Sequence, residues 1–174
     1  MKKGATIWLC GLAGSGKSTL AKELARLLRE DFDNVVYLDG DETREFFESF
    51  SYDKKARIEM AFKRAKMAKF LNNEGQIVIV STISLFDEVY EFNRKNLSSY
   101  FEVFVECDFE ELKRRDQKEL YTRAIQGLER DVVGVDLEFD IPRAHLIINN
   151  SSMDKLDEKA RYLLKEFLSF YNAL

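Results

Sequence analysis

The chain has 174 residues, 45% of them apolar and 33% charged, with a formal net charge of −4 at neutral pH. That length suits one globular domain with a real core, and the acidic balance argues against a general nucleic-acid binder, which needs a basic face for phosphates. No apolar stretch is long enough to span a bilayer, so no membrane partner is expected. One proline and eight glycines leave no linker or low-complexity segment. Cys10 and Cys107 each end an apolar run and read as buried thiols rather than a disulfide framework. The opening apolar run could mimic a secretion signal, but it passes straight into the loop described next. Cleavage there would destroy that loop, so a cytoplasmic protein is expected.

In chain order, "TIWLC" is a short apolar run rich in strand formers, and "CGLAGSGKST" follows it. Gly11, Gly16, Lys17 and Ser18 fit G-x-x-x-x-G-K-[ST], the loop whose backbone N–H groups cradle phosphates. Ala13, Gly14, Ser15 and Thr19 complete the stretch expected around the nucleotide. "STLAKELARLLRE" then has helical periodicity through Leu20, Leu24, Leu27 and Leu28. Phosphates would therefore sit at a helix N-terminus, where free N–H groups and the dipole favour anions.

Val35 to Leu38 reads as a buried strand ending in the acids of "DGD". The next segment is helical, with Ile58, Ala61, Phe62, Ala65, Ala68 and Leu71 on one apolar face and a stop at Asn72 to Gly75. Its basic residues, Lys54 to Lys69, read as a solvated face. "QIVIVS" is an unalternating strand of the kind covered on both sides. "FDEVYEFNRKNL" is a helix, "YFEVFVEC" a strand, "DFEELKRR" the start of a helix and "AHLIINN" a fifth strand. A last helix within Met153 to Tyr171 turns Leu156, Ala160, Leu163, Leu164, Phe167 and Leu168 inward.

This alternation predicts an α/β fold: a parallel sheet of five strands with helices on both faces, three layers in all. Ligands of such sheets lie beyond the carboxyl ends of the strands. The suspects are therefore Gly11 to Ser18, Asp39 with Asp41, Ser81 to Phe86, and Glu106 to Asp108. Residues 113–140 fit the alternation poorly. They are charged, carry Gly127 and Gly134 as hinge candidates, and read as a mobile lid rather than an exposed connection.

Asp41 is the candidate general base or hydroxyl-orienting group, and Asp39 supports Mg²⁺ through water beside the Ser18 hydroxyl. Both stand next to the phosphate loop if the first two strands are near neighbours; the alternative is an Asp-Gly turn with solvated acids. Arg115 and Lys118 are the candidate cations for charge spreading on a transferring phosphoryl group. Lys113, Arg114 and Arg123 read as solvated helix charges. His145 has no partner motif and receives no catalytic role. A GTP switch is disfavoured because no Asn-Lys-x-Asp guanine reader occurs. The intact Lys17, Ser18, Asp39 and Asp41 argue against an inactive scaffold.

Taken together, "WLCGLAGSGKSTLA", "VYLDGD" with Arg44, "AKFLNNEGQIVIVSTIS", "FEVFVECDFEELKRRDQKELYTRA" and "GVDLEFDIP" resemble the adenylylsulfate kinase family from about Ile7 to Asn150. The resemblance implies a P-loop kinase fold, a movable lid, ATP with Mg²⁺ as donor, a small nucleotide acceptor phosphorylated on its ribose 3′-hydroxyl, and a homodimer. It places Arg115 over the ATP base, Lys17 and Lys118 in catalysis, and Asp41, Arg44, Arg57, Ile83, Ser84, Lys118, Leu120, Tyr121 and Val132 at the acceptor.

Departures from the family pattern fall on the acceptor side. Its Asn-Ile-Arg-Arg stretch reads Met60, Ala61, Phe62, Lys63, and its Ile-Ser-Pro-Phe/Tyr-Arg run reads Ile83, Ser84, Leu85, Phe86, Asp87. Its Phe-Thr-Gly-Ile-Asp becomes Val132, Val133, Gly134, Val135, Asp136, so an aromatic expected to stack on the acceptor's adenine is missing. One stacking contact is worth about 1–3 kcal/mol in comparable sites. A relative within the family phosphorylates cytidine diphosphoramidate for the phosphoramidate decoration of bacterial capsules. Its smaller base and uncharged amide suit the losses, which favours that acceptor over adenylylsulfate.

Overall fold

A computed structural model describes residues 3–116 and 119–173. Five parallel strands form one sheet in the order β2-β3-β1-β4-β5: β1 (Ala5–Cys10), β2 (Val35–Asp39), β3 (Ile77–Thr82), β4 (Tyr100–Glu106) and β5 (Leu146–Asn149). β1 is central because its residues are apolar on both sides, and all six are buried. It pairs with β3 from Ala5–Ile77 to Cys10–Thr82 and with β4 from Thr6–Tyr100 to Cys10–Phe104.

The period-2 geometry of the strands divides the core into two layers. Ile7, Leu9, Ile79 and Val103 pack against α1 (Lys17–Asp31) and α7 (Leu156–Asn172), whose Leu24, Leu28, Leu163 and Phe167 are buried. Trp8, Cys10, Val78 and Val80 face the other way, onto α3 (Lys54–Asn73) and α4 (Asp87–Asn96), with Ala61, Ala65, Ala68 and Val89 buried there. The helices expected from periodicity are all present. β2 differs from its expectation: only Leu38 is fully buried, because the strand lies at a sheet edge with β3 on one side alone.

Three shorter helices sit at the carboxyl end of the sheet: α2 (Gly40–Phe46), α5 (Phe109–Arg115) and α6 (Leu120–Ile125). From α6 to β5 the chain has no long regular element, only one isolated bridge between Val133 and Leu137. Its inner side is nevertheless packed, since Tyr121, Val132 and Val133 are buried, whereas Ile125 and Leu128 are exposed.

Candidate active site

The loop between β1 and α1 is held mainly through its carbonyls, with the Ser15 N–H donating to the Leu12 carbonyl at 3.2 Å. Gly14 and Gly16 have φ of 76° and 86°, the left-handed region in which glycine is unstrained. A Cβ on Gly11 would lie 2.6 Å from the Val105 carbonyl oxygen, so glycine is required there by close approach instead. Asn150 Nδ2, just beyond β5, donates to the Ser15 carbonyl at 2.7 Å, and Lys159 Nζ donates to Asn150 Oδ1 at 2.9 Å. Tyr121 donates its hydroxyl to the Ala13 carbonyl at 2.8 Å. The Ala13 and Ser15 carbonyls are thus tied, while the first N–H groups of α1 have no helical partner and can meet an anion.

Lys17 is 8% exposed and donates to the Leu12 carbonyl at 3.2 Å. Burial lowers its ammonium to about 8, against the opposing pull of Asp41 and Asp39. A buried cation with one carbonyl partner is a site awaiting negative charge.

β3 lies between β1 and β2, so the first two strands are not neighbours and the acids stand one strand away from the phosphate loop. Side chains close that gap. Ser18 Oγ lies 3.4 Å from Ser81 Oγ, and Tyr37 Oη reaches both Ser81 Oγ and Asp39 Oδ2 at 2.7 Å. Asp39 also caps α2, accepting from the Asp41 N–H at 2.8 Å. Burial pushes the Asp39 carboxyl up, but hydrogen bonds from Tyr37 and the Asp41 and Glu42 N–H groups outweigh it and hold it below the usual carboxylate range. Asp41 is exposed in the first turn of α2.

A cavity of about 460 Å³ opens over these groups. Lys17, Ser18, Asp39 and Asp41 line it together with Arg44, Arg57, Ile83, Ser84, Leu120, Tyr121 and Val132. Ala13 and Gly14 form its rim at the loop. Arg44 is buried and lies 4.3 Å from the centre of the Tyr52 ring, with Arg57 at 5.3 Å from the same ring. Arg57 is anchored through the Asp131 and Tyr52 carbonyls at 2.8 and 2.6 Å. Burial lowers both guanidinium groups from their ordinary range, as expected where a cation waits without an anion.

The adenylylsulphate kinase family pattern matches residues 3–149. The chain belongs to the adenylylsulphate kinase family. Among the relatives of this family member, a cytidine diphosphoramidate kinase of Campylobacter jejuni subsp. jejuni serotype O:2 is 53% identical over 160 residues, 92% of this chain and 94% of the relative. A probable adenylyl-sulfate kinase of Pyrococcus abyssi is 37% identical over 165 residues, 94% of this chain and 95% of that one. The APS kinase of Mycobacterium tuberculosis, solved with AMPPNP and APS, superposes with a TM-score of 0.87 at 28% identity, covering 97% of this chain and 99% of the other. The relatives are kinases, and the P-loop kinase fold expected for this family member is the one observed.

Other expected residues stand away from the cavity lining. Gly11, Ser15 and Gly16 shape the loop from behind, and Thr19 is exposed on the first turn of α1. Arg115 stands outside the cavity lining: Nε is paired with Glu111 at 2.7 Å, and the two terminal nitrogens donate to the Gly14 and Asn150 carbonyls at 3.2 and 2.7 Å, which sets its side chain against the phosphate loop. Lys118 lies outside the described residues. The stretch from Glu106 to Asp108 ends β4 away from the cavity lining.

Sequence reasoning missed several members of this site. Arg123 is exposed, as expected of a solvated helix charge, yet it also borders the cavity, and Tyr52 and Thr82 line it as well. Arg64 also lines it while only 2% exposed. A signal for Arg64 was available, since it interrupts the small apolar stripe formed by Ala61, Ala65 and Ala68. Tyr37 and Asn150 gave no motif; only the tertiary pairing assigns them partners.

Proposed function

We propose that this chain is an ATP-dependent kinase that phosphorylates the ribose 3′-hydroxyl of cytidine diphosphoramidate. The observation that carries the reading is the shared cavity: phosphate loop, Asp41 and the Arg44–Arg57 pair border one space. Lys17 and the loop N–H groups bind the donor's terminal phosphates, and Arg44 and Arg57 bind the acceptor's phosphoryl groups. Asp41 accepts the hydroxyl proton as the acceptor oxygen bonds to the γ-phosphorus, while the bond to the β–γ bridging oxygen breaks and ADP leaves. Phosphoryl transfer needs mainly position and charge compensation, which this arrangement supplies.

The Ser18 hydroxyl and the Asp39 carboxylate are hard oxygen donors joined through Ser81, a set that suits Mg²⁺. When bound, Mg²⁺ neutralises charge on the donor phosphates. Tyr37 holds the Asp39 carboxylate in one orientation for that role.

The acceptor assignment rests on the 53% identity to the Campylobacter kinase and on the cavity wall. Val132, 3% exposed, falls where the family resemblance expects a stacking aromatic, and the Tyr52 ring lies beside the arginines. An aliphatic residue in that place suits a pyrimidine better than a purine. Cytoplasmic action in decorating a capsule belongs to the same reading, as does closure of residues 113–140 over the substrates.

The test is ADP release with ATP and Mg²⁺ and either cytidine diphosphoramidate or adenylylsulfate. Turnover of the first at kcat/KM at least about tenfold above the second is expected. The reverse preference would assign adenylylsulfate as acceptor, and turnover of neither would remove the acceptor class.

A further inference from the structure

Arg64 enters the site from α3, a helix whose neighbouring inward residues are Met60, Ala61, Ala65 and Ala68. Its guanidinium is 2% exposed and meets three oxygens. Nε donates to Thr43 Oγ1 at 2.6 Å, one terminal nitrogen to Thr82 Oγ1 at 3.2 Å, and the other to the Gly40 carbonyl at 2.5 Å. All three acceptors are neutral, and Arg64 forms no ion pair among the described residues. Burial lowers it to about 10, with Arg44 acting in the same direction and Asp41 and Asp39 acting against it.

A buried cation held only by neutral oxygens is a poor way to stabilise a fold, since a well-packed apolar side chain of similar volume does as well or better. What the guanidinium supplies is a rigid fork with fixed donor directions. Here the fork spans two strand ends. Gly40 separates the two aspartates, and Thr43 relays the bond to the Asp39 carbonyl at 2.7 Å. Thr82 is bonded at 2.9 Å to Ser84, on the acceptor wall. Asp41 lies in the first turn of α2, which follows directly on β2, an edge strand with a neighbour on one side only, so strand pairing alone restrains that turn weakly.

We propose that Arg64 is a positioning residue for phosphoryl transfer: it locks the Asp39–Gly40–Asp41 turn to the end of β3 and so sets Asp41 at the acceptor hydroxyl. This rests on the kinase reading above and adds to it a residue that acts through the turn it holds. Its effect belongs to the chemical step. ATP is held by the phosphate loop, which Arg64 does not contact.

The experiment compares the parent protein with Arg64→Met and Arg64→Lys for kcat, KM of both substrates, and ATP affinity by calorimetry. Arg64→Met is expected to lower kcat about thirtyfold to a hundredfold, the scale of a small misplacement of a reacting group, with ATP affinity within about twofold of the parent. Arg64→Lys keeps charge without the fork and is expected to recover part of that loss. A folded Met variant with parental kcat would overturn the inference, as would equal losses in kcat and ATP binding. If the Met variant does not fold, the Lys variant decides: parental kcat overturns the role of the fork, and a selective kcat loss supports it. A parent inert on both acceptors overturns the functional reading and this inference together, whereas an active parent beside an equally active Met variant overturns the inference alone.

Discussion

Lys17 carries a charge into surroundings that disfavour it, and this has consequences that can be measured. The folded, nucleotide-free protein releases the Lys17 proton near pH 8, well below the 10.5 of an unburied lysine. Between those values the unfolded chain binds more protons, so stability from this group rises with pH across the window and is lowest below it. Lys17→Met should therefore raise the melting temperature of the nucleotide-free protein at neutral pH, by a gain of about 1–3 kcal/mol, while abolishing transfer. Bound polyphosphate favours the charged lysine. Binding of ATP at pH 8 should take up about half a proton, read by calorimetry in buffers of different ionisation enthalpy. Asp41→Asn tests a second role: with Asp41 as the group proposed to take the acceptor's proton, kcat should fall at least about a hundredfold with ATP affinity nearly unchanged. An equal loss in ATP binding would reassign it to the metal.

At the level of elements, the end of β5 governs the phosphate loop. Asn150 bonds the Ser15 carbonyl, is itself fixed by Lys159 of α7, and lends its carbonyl to Arg115. Its amide also lies where a side chain on Gly16 would have to go, 2.3 Å from the Cβ position. Asn150→Ala should leave a buried carbonyl unsatisfied, cost about 1–3 kcal/mol of stability, and weaken ATP binding at least about fivefold. Chemical denaturation and a binding isotherm on one preparation would check both. Arg115 of α5 bonds the same loop at the Gly14 carbonyl, at 3.2 Å. The edge position of β2 explains a second feature. Its half-exposed side chains leave Tyr37 able to reach around to Asp39 and Ser81, which a strand buried on both sides by apolar packing would not permit.

For the whole molecule, a packed two-layer core carries a site built at one end of the sheet. Described residues on the far side of the cavity, from Ile125 to Arg130, are exposed, while Tyr121 and Val132 on either side of them are buried. That contrast fits a segment anchored at two points and free between them. Trypsin should cut at Arg123 or Arg130 in the free protein, and a non-hydrolysable ATP analogue with acceptor should slow cutting at least about tenfold. Unchanged cleavage would argue against closure of 113–140.

The strands, the helices, the phosphate loop and the likeness to a kinase family were legible in the sequence alone, because each depends on spacing along a few consecutive residues. Period 2, period 3.6 and the G-x-x-x-x-G-K-S pattern are local properties of the chain. The strand order was not local. It put β3 between the loop and its acids, made β2 an edge, and brought Arg64, Tyr37, Thr82 and Asn150 to one end of the sheet from positions up to 113 residues apart. Arg115 shows the converse, since its motif was visible while the direction of its side chain depended on where α5 docks. Whether a charged side chain faces solvent or a cavity is decided by the neighbour that covers it, and neighbours far along the chain are chosen only when the layers pack.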